Sequence, residues 1–168
     1  MKNCSLDVLG PLLALETEPD PELVDQVLEV VGILMRFAAE AAVTHGEAEK
    51  LLETRKQIRK LRSSAGTADT SESIAGMFRS LADAADHLVL RLIMNGLRGQ
   101  AREHIRKSCE PESIDPVDLR RIARDLDAAI DKRRPAVAGA AIEQLFDVLR
   151  NHAARGQGGA ALRRRAAS

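Results

Sequence analysis

The chain has 168 residues, enough for one domain with a sizeable core, and its 45% hydrophobic and 30% charged residues suit a folded globule rather than an unstructured chain. Basic and acidic residues number 25 each and cancel, which removes the global field that would draw nucleic acid or an anionic membrane surface. Phe37, Phe78 and Phe146 are the only aromatic residues, so the core must be built from Leu, Ile, Val, Ala and Met, and the stacking platforms of a single-strand nucleic-acid binder are missing. Cys4 and Cys109 are the only cysteines and lie far apart, which implies neither a disulfide framework nor a cysteine zinc site and fits a reduced, cytoplasmic setting. No apolar run approaches the roughly 20 residues of a membrane span, and the start Met1-Lys2-Asn3-Cys4 opens no signal-peptide core.

A first short helix is predicted near residues 5–15, with Leu6, Leu9, Leu12, Leu13 and Leu15 as its apolar positions. Asp20-Pro21-Glu22 then reads as a cap, a proline at the first helical position and an acidic first turn. The second helix runs from there to about Thr44, with Leu23, Val27, Val30, Ile33, Leu34, Phe37, Ala38 and Ala41 as its apolar set. A third follows His45-Gly46 and ends near Leu61, dense in charge from Arg55 to Arg62. Residues 63–70 form the clearest internal loop, and Asp69 with Glu72 has capping-box spacing for a fourth helix reaching about Asp86. The fifth starts near His87 and reaches about Cys109, where Glu110-Pro111-Glu112-Ser113 breaks it. Asp115-Pro116 opens the sixth, ending at Arg133-Arg134, and Pro135 opens the seventh, to about Ala154. No stretch shows the sustained period-two alternation of strands. The expected fold class is all-α, an antiparallel bundle of about six to seven helices over residues 1–155, followed by a flexible tail over 156–168 that carries Arg163, Arg164 and Arg165.

The fourth and fifth predicted helices carry a distinctive pattern. Phe78-Arg79-Ser80-Leu81-Ala82 precedes His87, and Leu92-Ile93-Met94-Asn95-Gly96-Leu97-Arg98-Gly99 follows. This resembles the acyl-CoA-binding C-terminal domain of FadR-type regulators in the GntR superfamily, over roughly residues 5–150. Ala85-Asp86-His87 departs from the small-Gly-Asn helix start of that family. The resemblance implies a ligand-sensing and dimerisation domain for an acyl-CoA or related fatty-acid effector, acting as a homodimer. It also implies that DNA contact belongs to a winged-helix domain; nothing ahead of Leu6 could be that module, so none is expected in this chain.

The superfamily's metal ligands, an Asp and a His four residues later, align with Ile74 and Phe78, and no His lies between His104 and His152. Neither side chain can ligate a divalent ion, so no metal cofactor is expected. Asp83 and His87 have i,i+4 spacing, a weak pair that reads better as a solvent-facing helix end. Arg91, Asn95, Arg98, Arg102 and Arg106 form a polar stripe opposite Leu90, Ile93, Met94, Leu97, Ala101 and Ile105. Such a stripe is ordinarily a solvated face; its functional reading is neutralisation of an effector's phosphate or carboxylate. Phe78, Arg79, Asn95, Arg98 and Arg102 are therefore the candidate ligand-binding residues. No serine sits in a nucleophile-elbow context and no glycine loop follows a strand, so there is no catalytic set and no enzyme is expected. Asp125, Asp127 and Asp131, and the two basic clusters Arg55–Arg62 and Arg120–Arg124, read as solvated surface. The competing reading is a structural or protein-interaction bundle that has lost sensing. An elongated cavity inside the second, fourth and fifth helices would favour sensing, and a solid core its rival.

Overall fold

The computed structural model describes residues 21–93 and 114–166, all in helices and short connections. The predicted helix at 5–15 lies outside the described residues. Five helices are complete: α1 (Pro21–His45), α2 (Ala48–Ser64), α3 (Thr70–Ala84), α4 (Pro116–Asp131) and α5 (Pro135–Ala166). Residues 88–93 are helical as well, the opening turns of the predicted fifth helix. The bundle closes as a ring in which α1 packs on α3 and α5, α2 on α3 and α4, and α4 on α5.

Both ends of the ring are tied by local chemistry. At one end Arg133, in the left-handed region at φ 49°, donates from Nη1 to the carbonyls of Val43 (3.2 Å) and Gly46 (3.0 Å). These carbonyls belong to the end of α1, whose last turn has no intrahelical donors, so the guanidinium caps it across the fold. Lys50 pairs with Asp86 at the same end. At the other end Arg120 donates to the Ala65 carbonyl (3.0 Å), and Pro116 sits against Gly66, which has φ +87°.

Between these ends the core is aliphatic and continuous. Met35, Ala38 and Ala42 of α1, Ile74, Met77 and Leu81 of α3, Ile122 and Leu126 of α4, and Ile142 and Leu145 of α5 are all buried in one cluster. Thr54 is the buried polar exception in the middle of α2. Its hydroxyl lies 3.0 Å from the Lys50 carbonyl and 3.1 Å from that of Ser80, so it joins α2 to α3 without an unsatisfied donor.

Several sequence expectations need correction. In α1, Ala38 is buried and Val27, Leu34 and Ala41 pack against the core as expected, but Val30, Ile33 and Phe37 are exposed, and the core face is completed by Leu28, Val31, Met35, Ala39 and Ala42. The helix is apolar around most of its circumference, so periodicity alone leaves its phase undetermined. Asp69 sits at the start of α3 without a side-chain cap bond, so the capping box does not form. The Thr70 hydroxyl organises the loop instead, accepting from the amides of Gly66 and Thr67 (3.2 Å each) and donating to the Ser64 carbonyl (2.6 Å). Asp115 does cap α4, accepting from Val117 at 2.8 Å. Asp127 is not a solvated carboxylate, because Arg55 of α2 reaches both it (2.7 Å) and Asp131 across the α2–α4 interface. α5 continues to Ala166, past Ala154, since Ala160, Ala161, Leu162 and the arginines after it are strong helix formers.

Candidate functional site

A groove of about 430 Å³ runs between α1 and α5. Its apolar lining is Leu28, Gly32, Ile33, Phe37 and Phe146, and its charged rim is Glu29, Arg36, Glu40, Glu143, Asp147 and Arg150. Gly32 sets how closely the two helices approach: a Cβ there would lie 3.1 Å from the Phe146 ring. Phe146 in turn stacks on Phe78 of α3, with ring centroids 5.3 Å apart and planes 14° from parallel. The floor of the groove is thus one face of an aromatic pair whose other member belongs to the recognised segment.

Both guanidiniums of the rim are already engaged. Arg36 bonds Glu143 of α5 (2.8 Å) and Glu40 of its own helix (3.1 Å), and Arg150 makes a two-pronged bond to Asp25 (2.7 and 3.0 Å). The hydrogen bonds from Arg150 hold the Asp25 carboxyl below its usual range. Four carboxylates against two paired guanidiniums leave the groove with an acidic excess. An apolar tail suits it; an anionic head group needs cations from elsewhere.

Of the predicted ligand-binding residues, Phe78 is buried in the core rather than presented to solvent. Arg79 is exposed, its Nε donating to the Ala75 carbonyl of its own helix (3.4 Å), and among the described residues no carboxylate pairs with it. Asn95, Arg98 and Arg102 lie outside the described residues. Leu90 is buried and Arg91 exposed, which gives the opening turns of that helix the inward and outward faces expected from its stripes. Ile74 is core, aligned where the superfamily would have a metal ligand. Asp83 and His87 are both exposed at helix ends, as the solvent-facing reading expects; the His87 ring packs edge-on to Phe37 at 5.3 Å, and its Nδ1 accepts from the Leu90 amide (3.2 Å) as a helix cap.

Sequence reasoning missed the groove because each of its polar residues looks like an ordinary solvated charge. One signal was available: Val30, Ile33 and Phe37 continue an apolar stripe on α1 that is redundant with the core face.

A family model described as the FadR C-terminal domain matches residues 1–106. The chain belongs to that family. The FadR C-terminal domain is an effector-binding, regulatory module rather than an enzyme. Its match takes in α1, α2, α3 and the turns at 88–93, whereas α4 and α5 lie beyond it. One wall of the groove is therefore family-matched and the other is not. No curated protein matches the chain. Among the described residues no helix is long and apolar enough to cross a membrane.

Proposed function

We propose that this FadR C-terminal domain senses an anionic, apolar-tailed effector of the acyl-CoA or fatty-acid class, and that its regulator works as a homodimer. The observation that carries the reading is the α1–α5 groove, whose volume falls in the roughly 300–1,000 Å³ range of small-molecule sites and whose floor is apolar. Each methylene buried there contributes about 0.8 kcal/mol. The head group would be met by the exposed Arg79 and by Arg98 and Arg102, with Asn95 as a hydrogen-bonding partner; Phe78 acts from below by backing Phe146.

The test is a melting series with acyl-CoAs of increasing chain length. Binding to the folded form alone stabilises by about 2.7 kcal/mol at a hundredfold excess over Kd. The rise should grow with chain length, shrink with Arg98→Ala and Arg102→Ala, and shrink with Phe37→Glu in the groove. Flat melting temperatures across the series would remove this reading. They would favour the structural or protein-interaction bundle, for which the specific support is the continuous buried core that takes in both α1 and α3, Phe78 included.

A further inference from the structure

The α1–α5 groove carries more negative charge than the binding of an apolar tail uses. Its two walls run antiparallel: Asp25 meets Arg150, Gly32 meets Phe146, Arg36 meets Glu143, and Gly139 lies against Glu40. From Asp25 to Glu40 the groove is about 22 Å long. Along that length the carboxylates of Asp25, Glu29, Glu40, Glu143 and Asp147 stand against the guanidiniums of Arg36 and Arg150. Arg36 is shared by Glu40 and Glu143. Arg150 bonds Asp25, and that bond, followed by the charges of Asp25, Glu29 and Asp147, raises its pKa above the ordinary guanidinium value. Among the described residues no cation forms an ion pair with Glu29 or Asp147. The chain as a whole is neutral, so three uncompensated negative charges in one groove are a local concentration.

Apolar surface lies beside these charges. Val30, Ile33 and Phe37 are exposed at positions i, i+3 and i+7, about 10 Å of α1, and Ile33 and Phe37 line the groove with Phe146. An apolar strip with acids on both walls is the complement of a helix whose apolar stripe runs between basic flanks. The spread of the charge decides between a helix and a small cation. A single-headed amphiphile would meet the acids at one level only. Lysines or arginines recurring every three or four residues would meet them on both walls and along the whole length, with their stems laid on the apolar strip.

We infer that the α1–α5 groove docks a basic amphipathic helix of a partner protein, its apolar stripe on Ile33 and Phe37 and its cations among Glu29, Glu143 and Asp147. Such a helix and an effector's tail need the same floor, so each displaces the other, and effector binding releases the partner. The displacement rests on the proposed function; the docking rests on the groove alone, so its test can succeed where the acyl-CoA series fails.

The test is a fluorescence-anisotropy titration of the full chain with a labelled peptide of Leu and Lys in helical register, about 14 residues or roughly 21 Å of helix. Binding is expected with Kd below about 50 μM at about 50 mM salt, and it should weaken as salt rises. The same pattern written in Leu and Glu should bind at least about tenfold more weakly, as should the Leu/Lys composition in scrambled order. Glu29→Gln combined with Asp147→Asn should weaken binding at least about fivefold, and Ile33→Gln by a similar factor. All three side chains are exposed, so these variants are expected to fold. Glu49→Gln with Glu53→Gln removes the same charge from α2, which lines no part of the groove, and should change binding by less than about twofold. Equal affinity for the Lys and Glu peptides, or equal losses in the groove and α2 variants, overturns the inference. So does the absence of binding to the unmodified chain. Peptide affinity that falls as the chain dimerises in sedimentation makes a second copy the occupant, and overturns it too.

Discussion

The two sides of the ring solve the problem of helix packing differently. Where α2, α3 and α4 meet, the interface is aliphatic, closed, and joined by Thr54 and the half-buried Arg55–Asp127 pair. Where α1 meets α5, Gly32 admits the Phe146 ring and ion pairs span the rim, yet Ile33 (64% exposed) and Phe37 (46%) remain open to solvent. The closed side holds the fold; the open side has given up burial and keeps a groove. That contrast assigns stability to one region and binding to the other, and substitutions can separate them.

The largest separation is expected between Leu126→Ala and Ile33→Ala. Leu126 is fully buried, and its truncation should cost about 3 kcal/mol. Ile33→Ala should change stability by less than about 0.5 kcal/mol while weakening any groove ligand. Chemical denaturation of both variants measures the first quantity and ligand-induced melting shifts the second; equal losses of stability would erase the distinction between the sides.

Next in size is Gly46→Ala, at the end of the ring. A Cβ there would run into the Ala42 carbonyl oxygen and lie 3.0 Å from that of Ala84, neither of which can rotate away. About 2–3 kcal/mol of destabilisation is expected by the same denaturation assay. Thr54→Val should follow, at about 1 kcal/mol, because the isosteric change keeps the packing and removes the hydroxyl between Lys50 and Ser80.

The smallest effect is expected on the open side, from Asp25→Asn. The folded state holds the Asp25 carboxyl below its unfolded range, so its contribution is present at neutral pH and is lost as pH falls through the folded-state value. Melting temperatures of wild type and variant should therefore differ slightly near pH 7 and converge in acid. A gap that persists below the carboxylate range would show that the pair with Arg150 is not its source.

Much of this architecture was legible in the sequence. Proline at the first position of α1, α4 and α5, with Asp115 ahead of α4, marked those starts within a residue. Those signals are local, and local chemistry settles them. What stayed hidden depended on neighbours. The phase of α1 is decided by α3 and α5 together, the start of α3 by a hydroxyl reaching back four residues to Gly66, and the partner of Arg55 by a helix 72 positions away. The Phe78–Arg79 segment was readable as a resemblance, but not that Phe78 would act from inside the core, through Phe146, on a groove whose second wall lies far along the chain.

The Arg133 clamp has a consequence for folding cooperativity. Its two bonds run from the turn between α4 and α5 to the turn between α1 and α2, some 90 positions earlier. They couple a stretch outside the family match to the first helix inside it. The two stretches are therefore interlocked: without α5 the buried face of α1 keeps only α3 as cover, and without Arg133 the carbonyls of Val43 and Gly46 lose that donor. The matched and unmatched stretches are thus expected to unfold together, with a loosening of the α4–α5 turn felt as fraying at the end of α1, on the helix that carries the groove.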